Sequence, residues 1–118
     1  MSDTLASLGR AVLAFRDERD WAQFHGLKHL IVSLCLEASE VLELTQWKSD
    51  AEVDALPNDP ASREALADEC ADVLAYLLLV ADKAGIDLDT ALRRKLDKNA
   101  RKYPINKSHG RREKYSRL

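Results

Sequence analysis

Residues 27–47 run LKHLIVSLCLEASEVLELTQW, and residues 60–85 run PASREALADECADVLAYLLLVADKAG. In the first stretch Leu27, Leu30, Ile31, Leu34, Ala38, Val41 and Leu42 recur every three or four residues. In the second, Leu66, Cys70, Val73, Leu74, Leu77 and Ala81 do the same. That spacing puts each set on one side of an α-helix with about 3.6 residues per turn. Two long amphipathic helices need each other's apolar stripes, so the pattern predicts an all-α fold.

Outward from these stretches, helix ends are marked by side-chain chemistry. Asp59 followed by Pro60 reads as an N-cap and first helical residue. Gly85 reads as a helix stop. Asp87 or Asp89 caps a fourth helix carrying Leu88, Leu92 and Leu96, and Pro104 ends it. Leu5, Leu8, Val12 and Phe15 mark a first helix over about Thr4 to Glu18. Residues 19–26 form a connection, and residues 48–60, with Pro57, Asn58, Asp59 and Pro60, form the longest loop. Residues 105–118 show no periodicity and read as a flexible basic tail. The expected organisation is a four-helix, bundle-like domain over residues 1–104 and a tail over 105–118.

Composition narrows the class. A chain of 118 residues and 13.3 kDa is one domain's worth of sequence. With 46% hydrophobic and 32% charged residues it is globular rather than disordered. No apolar run approaches the roughly 18 residues of a membrane span, and Met1-Ser2-Asp3-Thr4 shows no basic region followed by an apolar block, so no signal peptide is expected. Cys35 and Cys70 form no paired zinc motif and no disulfide framework, so a reducing cytoplasm is expected. Both lie near the apolar stripes and read as buried, inert thiols. Charge is split: residues 1–92 hold 7 Lys and Arg against 18 Asp and Glu, and residues 93–118 hold 11 against 2. This fits a solvated acidic face with a basic tail. It equally fits a site that needs both metal-binding carboxylates and phosphate-binding cations.

The carboxylates have a pattern. Glu37-x-x-Glu40 lies on the second helix and Glu69-x-x-Asp72 on the third. Each pair sits about 60° apart on one helix face and ~4.5 Å apart along the axis. Glu37 and Glu69 fall at the edge of their apolar stripes, so packing the stripes brings the four acids to one seam. Crowded like charges repel, and a hard divalent cation with oxygen ligands removes that cost, which favours Mg²⁺. Either pair alone also reads as ordinary surface acid. A di-iron bundle needs ExxH on two helices, and His25, His29 and His109 lie outside any such motif.

Lys95, Asn99 and Lys102 share a face of the fourth helix at i, i+4 and i+7, which suits phosphate oxygens. The same lysines also complement the helix dipole. Trp21 and Trp47 stand at helix junctions, where aromatic faces either stack on a nucleobase or pack a rim. Tyr76 follows Asp72 by one turn, and His25 either meets a base or caps the second helix.

These segments together resemble the MazG-like, all-α nucleoside triphosphate pyrophosphohydrolases, over about residues 10–104. Glu37-x-x-Glu40 and Glu69-x-x-Asp72 match the family's ExxE and ExxD, with 28 residues between them. Residues Arg16 to His25, Gln46-Trp47-Lys48 and Lys95 to Pro104 make the dCTP pyrophosphatase branch the most similar. The resemblance implies Mg²⁺-dependent hydrolysis, with Mn²⁺ as an alternative, of a nucleoside triphosphate to monophosphate and pyrophosphate. It implies Glu37 as catalytic base and metal contact, and Glu40, Glu69 and Asp72 as metal ligands. It sets Trp21, His25, Trp47 and Tyr76 around a pyrimidine base, and Lys95, Asn99 and Lys102 around the phosphates and sugar. It also implies a homodimer or a dimer-of-dimers tetramer, with no membrane or nucleic-acid partner. The tail cations Arg111, Arg112, Lys114 and Arg117 are expected to matter less than Lys95 and Lys102. The competing reading is a non-catalytic helical interaction module whose basic tail meets an acidic partner.

Overall fold

The computed structural model describes residues 4–118, and every regular element among them is helical. Two compact units divide the chain, the first ending at Gly85 and the second spanning Ile86–Leu118.

In the first unit, α1 covers Leu5–Glu18. The Thr4 hydroxyl accepts from the Ser7 amide at 3.1 Å, satisfying one of the free N–H groups at the helix start. Its C-terminus closes through a left-handed residue, Asp20, with φ 54°. The Trp21 amide donates to the Arg16 carbonyl at 3.1 Å and the Asp20 amide to that of Asp17 at 3.1 Å. That is the paired-bond helix end usually built on glycine. Asp tolerates the conformation, and its carboxylate accepts from the side-chain Nε2 of Gln23 at 3.0 Å.

Helix α2 covers Leu27–Glu43, short of the end at about Trp47 expected for the 27–47 stretch. The Thr45 hydroxyl donates to the Leu42 carbonyl at 2.7 Å, and Trp47 takes a left-handed φ of 65°. A side chain that bonds its own upstream carbonyl competes with helix propagation. The expected loop after it contains a further short helix, α3, Asp50–Asp54. Ser49 and Glu52 form a reciprocal capping box there, each bond at 3.2 Å.

Helix α4, Pro60–Ala84, starts and stops where the sequence indicates. The Asp59 carboxylate accepts from the Ser62 amide at 3.0 Å, and Gly85 adopts a left-handed φ of 68°. Helices α2 and α1 both pack on α4. The ion pair from Arg16 to Asp82, at 3.5 Å, also joins α1 to α4. The core is thin: among the described residues only Leu30, Leu78, Leu79 and Ala81 are buried, and of these only Leu30 is fully enclosed. Ile31, Val32, Leu36 and Leu42 on α2 remain exposed.

In the second unit, α5 covers Leu88–Lys102 and ends at Tyr103-Pro104. Residues 105–118 hold more structure than their composition suggests. Helix α6, Ile105–Ser108, is followed by a turn at Gly110, φ 74°, and a 3₁₀ turn over Tyr115–Arg117.

Candidate active site

Packing of α2 on α4 brings Glu37, Glu40, Glu69 and Asp72 together. One carboxylate oxygen from each lies within 4.8 Å of all the others. Glu40 and Asp72 are exposed, whereas Glu37 and Glu69 are half-buried. The Oε2 atoms of Glu37 and Glu69 are fully buried and meet no hydrogen-bond donor. Glu43, on the same helix, is outside the group and exposed.

The electrostatics follow from this crowding. The Glu37 carboxyl is held above its ordinary range, first by burial and then by the proximity of Glu40 and Asp72. Glu69 is also raised, first because it sits against the Glu40 carboxyl, then by burial and the neighbouring charges. Two carboxylates in contact attract only when they share a proton, so the metal-free group holds protons more tightly than isolated acids do. A hard divalent cation is the other solution. The donor set is all oxygen, four side chains converge, and two buried oxygens lack any other partner, so the residues fit such an ion.

The other expected site residues are placed as follows. Trp47 is 93% exposed on its left-handed residue, so no packing explains the strained backbone. Trp21 lies edge-on to Phe15, with ring centroids 5.9 Å apart, and the Arg19 guanidinium covers the Phe15 ring at 3.6 Å. His25 buries Nδ1 without a partner. Burial first, then the Arg16 and His29 charges, lower its pKa and keep the ring neutral at neutral pH. Tyr76 is half-buried. In the second unit, Lys95 and Lys102 are exposed and Asn99 is half-buried. Cys35 and Cys70 correct an expectation: both are exposed, because the stripe edges they occupy have no covering element.

Lys48 closes the Gln46-Trp47-Lys48 segment and carries no expected role of its own. It lines two adjoining hollows, one with Thr45, Asp50 and Asp54, the other with Glu43, Leu56 and Ser62. Trp47 immediately precedes it, but a single lysine after a tryptophan gives no periodic signal.

A family model described as MazG-like matches residues 32–118. The chain belongs to the MazG-like family. Among curated proteins this MazG-like chain is 42% identical over 115 residues to the dCTP pyrophosphatase 1 of Rattus norvegicus. The match covers 98% of this chain and 68% of that protein. The Homo sapiens dCTP pyrophosphatase 1 is 39% identical over the same length and shares. The crystal structure of a pyrophosphatase from Archaeoglobus fulgidus superposes with a TM-score of 0.76 at 39% identity. That superposition covers 88% of this chain and 95% of that one. The MazG-like chain is a nucleoside triphosphate pyrophosphohydrolase, and the reading as a non-catalytic interaction module falls away.

Proposed function

We propose that this enzyme hydrolyses a deoxynucleoside triphosphate with a pyrimidine base, dCTP foremost, to the monophosphate and pyrophosphate, using Mg²⁺ with Mn²⁺ as a substitute. The observation that carries it is the convergence of four carboxylate oxygens within 4.8 Å, two of those side chains keeping a buried, unpartnered oxygen. The relatives named dCTP pyrophosphatase 1 support the choice of substrate. Glu40, Glu69 and Asp72 would hold the cation together with Glu37. A divalent cation bound there would supply charge neutralisation at the phosphates and would lower the pKa of nearby water.

Glu37 is the base in this reading. Its raised pKa comes first from burial, which stays when the repulsion from Glu40 is relieved, whereas that of Glu69 comes first from Glu40 itself. Glu37 takes a proton from water as the water oxygen attacks the α-phosphorus. The bond from that phosphorus to the bridging oxygen breaks, and pyrophosphate leaves with the electron pair. Lys95, Asn99 and Lys102 meet phosphate and sugar oxygens, and Trp21, His25, Trp47 and Tyr76 surround the base. Pyrophosphate release from a panel of nucleotides, with and without Mg²⁺, tests this directly. Hydrolysis of no triphosphate, or equal rates in EDTA, would sink it.

The exposed Trp47 gives a sharper expectation. Trp47→Ala should raise KM for dCTP by roughly 1–3 kcal/mol of lost stacking while changing kcat little. Because the side chain is 93% exposed, the melting temperature of the chain should hardly move. A large drop in melting temperature with unchanged KM would show that the indole serves packing instead.

The thin core and the open stripe of Ile31, Val32, Leu36 and Leu42 support self-association as a homodimer or a dimer of dimers. Sedimentation equilibrium should therefore return a mass of at least twice 13.3 kDa. A monomer at micromolar concentration would refute it. No helix among the described residues is long and apolar enough to cross a membrane. Two exposed free thiols suit a reducing cytoplasm, and neither a membrane nor a nucleic acid enters this reading as a partner.

A further inference from the structure

The C-terminal segment folds back onto the end of α5. The left-handed Gly110 reverses the chain, and the Arg111 amide donates to the Ser108 carbonyl at 2.9 Å. The Arg111 guanidinium then pairs with Glu113 at 3.2 Å. Beyond these, the Tyr115 ring lands edge-on against Tyr103, centroids 6.0 Å apart and planes at 87°. Two ammonium groups also lie over that ring. The Lys102 ammonium lies 4.9 Å from its centroid, and that of Lys114 lies at 5.9 Å.

We infer that Tyr115 is a positioning residue for substrate, its ring holding the Lys102 ammonium at the end of α5 for the triphosphate. The inference rests on the reading of Lys102 as a phosphate contact. Lys carries its charge on a flexible four-carbon stem, so binding a phosphate freezes rotamers that were free. Attraction to the ring face narrows those rotamers before substrate arrives, which lowers the ordering cost of binding. A ring does this without neutralising the lysine, as a carboxylate would. Glu113 is the only acid in residues 105–118, and Arg111 engages it. The ammonium has three donors, and those turned away from the ring stay available to phosphate oxygens. Tyr103 in turn fixes the ring, so the order runs from Gly110 through Tyr115 to Lys102. The tail is therefore part of the binding apparatus through its tyrosine. Removing residues after Asn106 should raise KM, contrary to what its lack of periodicity suggests.

The test is steady-state kinetics with dCTP and Mg²⁺ on the full chain and on Y115A, Y115F, K102A and the K102A/Y115A double variant. Y115A should raise KM roughly two- to fivefold, the strength of an exposed cation–π contact, with kcat little changed. Y115F, which keeps the ring, should restore the KM. In the K102A background, Y115A should add nothing. Equal loss in Y115F and Y115A, an additive effect in the double variant, or a lower KM in Y115A would overturn the inference. K102A with the KM of the unaltered chain would overturn the phosphate reading of Lys102 itself. That is a different result from K102A impaired and Y115A intact, which removes only the role of Tyr115.

Discussion

Glu40→Ala and Asp72→Ala are each expected to abolish turnover and yet, in metal-free buffer, to raise the melting temperature. The two halves have one cause. Glu40 is the neighbour that raises both Glu37 and Glu69, so it sits at the centre of the repulsion. Asp72 contributes to both as well. Both side chains are exposed, so truncation opens no cavity in the core and removes mainly an unfavourable charge. In catalysis the same charge has the opposite value. Without it the cation is held by fewer oxygens, and charge stabilisation worth several kcal/mol in the transition state is weakened. A fall in kcat/KM of roughly a thousandfold or more follows. Pyrophosphate release measures the first half and thermal melting in EDTA the second. Glu43→Ala is the control, since Glu43 shares α2 but lies outside the group. Near-normal Mg²⁺-dependent activity in either variant would dissolve the four-carboxylate assignment. So would a melting temperature that fell as it does for a core substitution.

The long helices were legible because burial imposes a period. Leu27 to Leu42 and Leu66 to Ala81 repeat often enough to mark α2 and α4, and Asp59-Pro60 and Gly85 fix the ends of α4 chemically. Helix α3 is not legible in the sequence, because five residues are too few to show a period. Its signal was present in Ser49 and Glu52, the two halves of a capping box, but that marks a helix start and not its length. Helix α2 ends before Trp47 because Thr45 acts through a hydroxyl that no apolar stripe registers. The convergence of the four acids was legible as two spacings on matching edges. What spacing does not carry is which oxygens are buried. The orphaned Oε2 atoms of Glu37 and Glu69 depend on how closely α2 meets α4. The same limit explains Cys35 and Cys70, and the exposure of Trp47. A residue's place on a helix wheel says which way it points, not whether anything covers it.

Metal-free and metal-loaded protein should respond to pH with opposite signs. Glu37 and Glu69 have folded-state pKa values above the ordinary 4.5. The folded protein therefore binds their protons more tightly than the unfolded chain does. Their contribution to stability is fully present below about pH 4.5 and is lost as pH rises through the raised folded values. Other groups pull the other way. Glu52 and Asp59 are lowered, first by the backbone amides they cap, so their stabilisation is lost on acidification. Lowered His25 likewise favours the folded state above its unfolded pKa, and that contribution is lost as pH falls. A difference between two proteins cancels these shared groups. In EDTA, the E37Q/E69Q double variant should melt close to the unaltered chain near pH 4.5. It should melt increasingly above it as pH rises, because only the unaltered chain then carries the crowded charge. With saturating Mg²⁺ the order reverses near neutral pH, since the cation requires ionised carboxylates and stabilises only the protein that has them all. Mg²⁺ affinity measured by calorimetry should fall with pH over the same window. Parallel melting curves for the two proteins in EDTA, or an Mg²⁺ affinity that stayed flat from about pH 8 to pH 5, would show that these four carboxylates neither repel one another nor hold the ion.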